Sequence, residues 1–198
     1  TDPPYGIDLD TNYQSITEKW WKGSGLQDKN FTKSNKFERV IGDDKPFNFI
    51  DYSWIVCEEQ FWWGANYYLK YLPDGGSWFV WDKTAGKTQE TIGSEFELLW
   101  SKQKHKQQIL IKKWAGAMGL SNQDIKSRIH PTQKPLEIHI PIIEQYSKPD
   151  NIILDLFGGS GSTLIACEQT NRTCYMMEIS ESYCDVIRKR FDNFVNKK

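Results

Sequence analysis

Four residues near the start of the chain, Asp2-Pro3-Pro4-Tyr5, combine groups that could do chemistry together. Proline fixes φ and removes the backbone N–H, so the carbonyls of this stretch are offered as acceptors with few donors beside them. The Asp2 carboxylate is acceptor-only when ionised, and Tyr5 adds a flat ring. Such a set suits a planar group with an exocyclic amine, whose N–H bonds go to the acceptors while the ring stacks. A nucleobase amino group fits that description. The same string is also an ordinary loop start, so its meaning depends on what accompanies it.

A second constellation lies between Asp155 and Glu178. Ile152-Ile153-Leu154 is expected to be a buried strand that ends at Asp155. Phe157-Gly158-Gly159-Ser160-Gly161-Ser162 then turns into a helix over 163–170, and Thr173 to Met177 is a second strand ending at Glu178. Glycines let backbone approach a ligand closely at the end of a strand. An acid at the tip of the next strand can accept both hydroxyls of a ribose. The pattern points to an adenosine-bearing cofactor, either a dinucleotide or S-adenosylmethionine. The loop does not follow G-x-G-x-x-G, which argues against a pyrophosphate, whereas a sulfonium cofactor has no phosphate to cradle. Phe157 is expected to cover one side of that ligand.

These groups must be positioned by a fold, and 198 residues suffice for one domain with its own core. The composition is that of a globular protein, with 38% hydrophobic and 26% charged residues. No stretch approaches the ~20 apolar residues of a membrane span, so no membrane partner is expected. Cys57, Cys167, Cys174 and Cys184 form no C-x-x-C pair, which argues against zinc. Lying in apolar runs, they are expected to be core thiols in a reducing compartment such as the cytoplasm. The net charge of -1 carries no global nucleic-acid signal. Residues 82–128 nevertheless hold nine Lys/Arg against five Asp/Glu, and residues 17–39 six against three. Such runs are usually a solvated face, but a one-sided DNA surface would look the same.

Residues 6–45 read as a long loop or partly helical insert. Pro46 suits a helix start, and Phe47, Ile50, Trp54 and Ile55 recur at helical spacing. Strands are expected at Gln60 to Gly64, Ser77 to Trp81, Phe96 to Trp100 and, less clearly, Gln108 to Trp114. Helices are expected at Asn66 to Leu72 and Leu136 to Tyr146, and after Ser180, which caps a stripe of Tyr183, Val186, Ile187, Phe191, Phe194 and Val195. Strand, glycine loop, helix, strand and acid form a βαβ unit, so the class is α/β with a parallel core.

In this company the motifs become specific. The chain resembles the S-adenosylmethionine-dependent amino-group DNA methyltransferases of the permuted beta class, in which the catalytic motif precedes a recognition region and then the cofactor motifs. Asp2-Pro3-Pro4-Tyr5 looks like the catalytic motif of the DPPY type. Residues 61–68 and 77–82 resemble segments of prophage-type DNA adenine N6-methyltransferases. His130-Pro131-Thr132-Gln133-Lys134-Pro135, otherwise a proline-capped helix entry, is similar to the loop beside the methionine half of the cofactor. The 155–162 segment is similar to the cofactor loop.

The resemblance implies a Rossmann-like methyltransferase fold with a mostly parallel twisted sheet, as a single domain over residues 1–198. It implies catalysis by Asp2, Pro3, Pro4 and Tyr5. Cofactor binding would fall to His130, Thr132, Gln133, Lys134, Asp155, Phe157, Gly158, Gly159, Gly161, Ser162 and Glu178, with no metal. The implied partner is double-stranded DNA, met by an insert over 83–128 in which Lys102, Lys104, Lys106, Lys112 and Lys113 could meet phosphates. A homodimer and a cognate restriction enzyme stay open. Asp before Pro-Pro-Tyr favours adenine N6 over cytosine N4, and the absence of a Pro-Cys pair excludes cytosine carbon-5 chemistry. Because the family places a strand ahead of its catalytic loop and this chain begins at Thr1, its N-terminal strands are expected to be missing here. A DNA-binding fragment without turnover is one other reading. Methylation of RNA or a protein amide is another.

Overall fold

The computed structural model describes residues 1–12, 37–52, 54–86, 94–114 and 128–196. Bulky, β-favouring residues form the first sheet: β1 (Phe61–Trp63), β2 (Ser77–Asp82), β3 (Phe96–Ser101) and β4 (Ile109–Ile111), in spatial order β1-β3-β2-β4. β3 pairs antiparallel with both neighbours, setting Trp78 opposite Trp100 and Phe79 opposite Leu99, while β4 runs parallel to β2. Along β2 the alternation of Ser77, Phe79 and Trp81 inward drives the core. There Trp63, Phe79, Trp81, Leu99 and Leu110 pack with Ile138 and Ile142 of helix α1 (Leu136–Tyr146).

The second unit is the expected βαβ. β5 (Ile152–Asp155) and β6 (Thr173–Met176) pair in parallel, joined by α2 (Ser162–Gln169) and followed by α3 (Glu181–Val195). Ser180 caps α3 through the Tyr183 N–H at 3.4 Å. Thr1 ties the two sheets together. Its backbone N–H donates to Phe61 O (2.8 Å) and its carbonyl accepts from Trp63 N (3.0 Å). Its hydroxyl donates to Asp155 Oδ1 (2.8 Å).

Several expectations fail for identifiable reasons. The sheet pattern is mixed rather than mostly parallel, because β3 enters between β1 and β2 by antiparallel pairing. Among the described residues of 47–55 there is no α-helix, only the 3-10 turn Phe49–Tyr52. Phe47 and Phe49 both turn inward onto Trp62 and Tyr68, and a two-residue spacing cannot share one helix face. The helix expected over 66–72 is two 3-10 turns, Ala65–Tyr67 and Leu69–Tyr71, entered through the left-handed Gly64. Ile152 and Leu154 of β5 are 67% and 39% exposed, so that strand is not buried on both faces. Of the four cysteines only Cys167 is a core residue, and all are free thiols. Most of the 6–45 insert lies outside the described residues, as do 87–93 and 115–127 of the 83–128 insert. The described part of that insert includes β3 and β4. No helix among the described residues is long and apolar enough to cross a membrane.

Candidate active site

The two ends of the chain meet in one cleft of about 670 Å³. Its walls include Asp2, Pro3, Pro4 and Tyr5 on one side and Asp155, Phe157, Gly158, Gly159, Ser162 and Glu178 on the other, with His130, Thr132, Gln133 and Lys134 between them. Gly161 alone of the sequence-predicted residues stands outside this lining. It serves the turn into α2, at φ +75° with its N–H on Gly158 O (2.8 Å).

The loop after Tyr5 is fixed by Asp43, which the sequence did not single out. Its buried carboxylate accepts the N–H groups of Gly6 (2.9 Å) and Leu9 (2.8 Å). Tyr5 donates its hydroxyl to Asp2 Oδ1 (2.6 Å) and stacks on Tyr67, ring centroids 4.9 Å apart and planes 12° from parallel. One face of the Tyr5 ring therefore already has an aromatic partner. Gly64 makes room for that ring: a Cβ there would stand 2.0 Å from Tyr5 Cε1, and its φ of +63° suits only glycine readily.

Burial holds the Asp2 carboxyl above the usual carboxylate range, and the Lys134 ammonium, 2.5 Å from Oδ2, offsets only part of that rise. Lys134 also donates to Tyr5 Oη (3.2 Å) and pairs with Glu97 (3.2 Å), which in turn binds Lys83 (3.0 Å). The Lys134 ammonium is thus directed at the Asp2 carboxylate and its neighbours. Nothing in the sequence joined these residues, because the pairing spans most of the chain.

Glu178 closes the glycine loop. Its Oε2 accepts Gly159 N–H (2.7 Å) and its Oε1 accepts Ser180 N–H (2.9 Å). Ser162 Oγ donates to Lys134 O (2.8 Å), joining the 130–135 loop to α2. Arg190, unpredicted, reaches from α3 to Ser160 O (2.7 Å) and Ser162 Oγ (3.1 Å). Burial lowers His130 to about 4, and its Nδ1 accepts the Thr132 N–H, so the neutral ring carries its proton on Nε2. The exposed apolar side chains Trp54, Met177 and Ile179 also face the cleft. They offer a slot for a flat apolar ring beside Phe157, which packs on Phe47 and Tyr52. No cluster of three or more His, Cys, Asp or Glu among the described residues is placed to hold a metal.

The chain is similar to known proteins. The chain is 44% identical over 57 residues to YubD of Escherichia coli (strain K12), a protein named as a methylase, covering 29% of this chain and 25% of YubD. It is 26% identical over 196 residues to the type II methyltransferase M.HinfI of Haemophilus influenzae, covering 90% of this chain and 51% of that protein. The chain thus spans between a quarter and about half of the length of these relatives. The crystal structure of an M1.HpyAVI–SAM complex shares the fold, at 22% identity and a TM-score of 0.52, over 68% of this chain and 74% of that one. Residues 1–189 match the family model described as DNA methylase, N6_N4_Mtase, and the chain belongs to that family.

Proposed function

We propose that this chain carries the active site of a DNA methyltransferase of the permuted beta class, which transfers a methyl group from S-adenosylmethionine to adenine N6. The observation that carries the proposal is the single cleft shared by the Asp2-Pro3-Pro4-Tyr5 loop and the glycine loop with Glu178. The residues present fit the cofactor. Glu178 occupies the Gly159 N–H that a phosphate would need and adds negative charge there, which disfavours a pyrophosphate. The same carboxylate keeps lone pairs for two ribose hydroxyls. Trp54, Phe157, Met177 and Ile179 suit the adenine ring, and Asp155, buried in the cleft floor, suits the cationic end. When bound, S-adenosylmethionine supplies an electrophilic methyl group on sulfur.

The chain's own residues do the rest. The lone pair of an aminopurine nitrogen is delocalised into the ring, which makes it a poor nucleophile. Hydrogen bonds from N6 to the Asp2 carboxylate and the Pro3 carbonyl draw that nitrogen toward tetrahedral geometry and aim its lone pair. Preorganised polar groups of this kind supply much of the acceleration in such sites. The base must leave the duplex to reach them, with Tyr5, already backed by Tyr67, as its platform. Phosphate contacts fall on Lys104, Lys106 and Lys113, since Lys102 donates to Cys57 O and Lys112 binds Glu137. Asp at position 2 favours adenine. Incubating the full-length protein with DNA and labelled cofactor, then digesting to nucleosides, tests the assignment. N6-methyldeoxyadenosine is expected, N4-methyldeoxycytidine would move the substrate to the other amino base, and no label in DNA would refute the proposal.

A further inference from the structure

Asp2 sits at one end of a buried string of charges. Lys134 holds Asp2 Oδ2 directly and holds Tyr5, which holds Oδ1. Glu97 on β3 shares Lys134 at 3.2 Å and is itself neutralised by Lys83, just beyond β2. The four charges sum to zero. The side chain of Lys134 is only 6% exposed and those of Asp2 and Glu97 19% and 24%. Such pairing is costly: exchanging buried ions for apolar residues of similar volume often leaves a protein as stable or more so. A buried ionic string that ends on the carboxylate of the active cleft is therefore accounted for by placement rather than by stability.

We propose that Lys134 and Glu97 are positioning residues for methyl transfer: Lys134 holds the Asp2 carboxylate ionised and oriented toward the cleft, and Glu97 moderates that hold by sharing the ammonium. This rests on the role given to Asp2 above. The two residues act with opposite sign. Burial raises the Asp2 carboxyl, Lys134 lowers it, and Glu97 raises it. Without Lys134 the carboxyl takes up its proton at higher pH and loses its capacity to accept from N6. Without the charge of Glu97, Lys134 acts on Asp2 unopposed and the proton is released at lower pH. The other titratable groups around the pair do not supply this control. Tyr68 donates its hydroxyl to Trp63 O (2.6 Å). His130 and His139 are kept neutral by burial, at about 4 and about 3.

The test is the pH profile of kcat/KM for methyl transfer in the full-length protein, with Lys134→Gln, Lys134→Arg, Glu97→Gln and Asp2→Asn. The acid limb of Lys134→Gln is expected to move up by about one pH unit or more, a ~10-fold loss on the acid side. Lys134→Arg, which keeps the charge, is expected to restore most of the wild-type limb. Glu97→Gln is expected to move the limb down. Limbs that stay in place, or that move in the same direction for Lys134→Gln and Glu97→Gln, overturn the inference. So does a tenfold weaker cofactor affinity in Lys134→Gln with an unmoved limb, which would assign Lys134 to the cofactor. If Lys134→Gln fails to fold, the downward shift in Glu97→Gln decides. Asp2→Asn separates the two layers. Full activity there refutes the role of Asp2 itself, whereas a dead Asp2→Asn beside unmoved limbs refutes only the positioning of Asp2 by Lys134 and Glu97.

Discussion

Replacing Glu178 by Gln tests the cofactor side of the cleft at a single atom. The Glu178 carboxylate accepts two backbone donors, Gly159 N–H at 2.7 Å and Ser180 N–H at 2.9 Å. Glutamine offers one carbonyl oxygen, so one of those donors would face an NH2 group and lose its partner. An unsatisfied buried donor costs ~1–3 kcal/mol, felt as a lower melting temperature and a loosened Gly158-Gly159 turn. The ligand side loses more. Hydrogen bonds to a charged acceptor contribute ~1.5–3 kcal/mol each, against ~0.5–1.5 for neutral ones. Two ribose hydroxyls would therefore lose about 3 kcal/mol together, or ~100-fold in affinity. Titration calorimetry with S-adenosylmethionine measures this directly. Glu181→Gln, an exposed acid at the start of α3 outside the cleft, is the control and is expected to bind as wild type. An unchanged dissociation constant in Glu178→Gln would refute the ribose assignment.

Two further outcomes follow from the geometry. Gly64→Ala places a methyl group 2.0 Å from Tyr5 Cε1 at a φ of +63°. The backbone strain alone costs ~1–2 kcal/mol, and the displaced ring forfeits its stack on Tyr67, worth ~1 kcal/mol. Thermal melts should fall by ~5–10 °C and methyl transfer at least ~10-fold, and wild-type turnover would show that the seat of Tyr5 is dispensable. His130, lowered by burial from an unfolded value near 6.5 to about 4, stays neutral in the fold while the unfolded chain takes up a proton. Its contribution to stability is therefore intact above about pH 6.5 and is lost as pH falls toward about 4, roughly 2–3 kcal/mol by pH ~4.5. Urea unfolding of wild type and His130→Gln at about pH 7 and 4.5 reads this as a difference, and parallel losses in the two proteins would refute it.

Much of the site was legible because its motifs are local. The Asp2–Tyr5 string and the 155–178 βαβ unit each carry their meaning within a few residues, and the strands of Trp and Phe announce themselves by bulk. Long-range partners were not legible. Lys134 meets Asp2 across 132 residues, and Arg190 reaches back 30 residues from α3 to Ser160, separations that no local motif encodes. The aromatic stretch 47–55 misled by period, since Phe47 and Phe49 answer to a cluster around Trp62 and Tyr68 rather than to a helix face. The 66–72 helix failed at Gly64, whose left-handed turn is needed to seat Tyr5. The exposure of β5 was hidden because a run of Ile and Leu reads as buried whatever covers it.

The most direct measurement is methyl transfer from labelled S-adenosylmethionine to DNA by the full-length protein and its Asp2→Ala variant, with cofactor affinity determined for both. Loss of one preorganised acceptor is expected to slow transfer at least ~100-fold while the cofactor dissociation constant stays within about threefold, a shift worth only ~0.6 kcal/mol. Transfer at the wild-type rate without the Asp2 carboxylate would contradict the account.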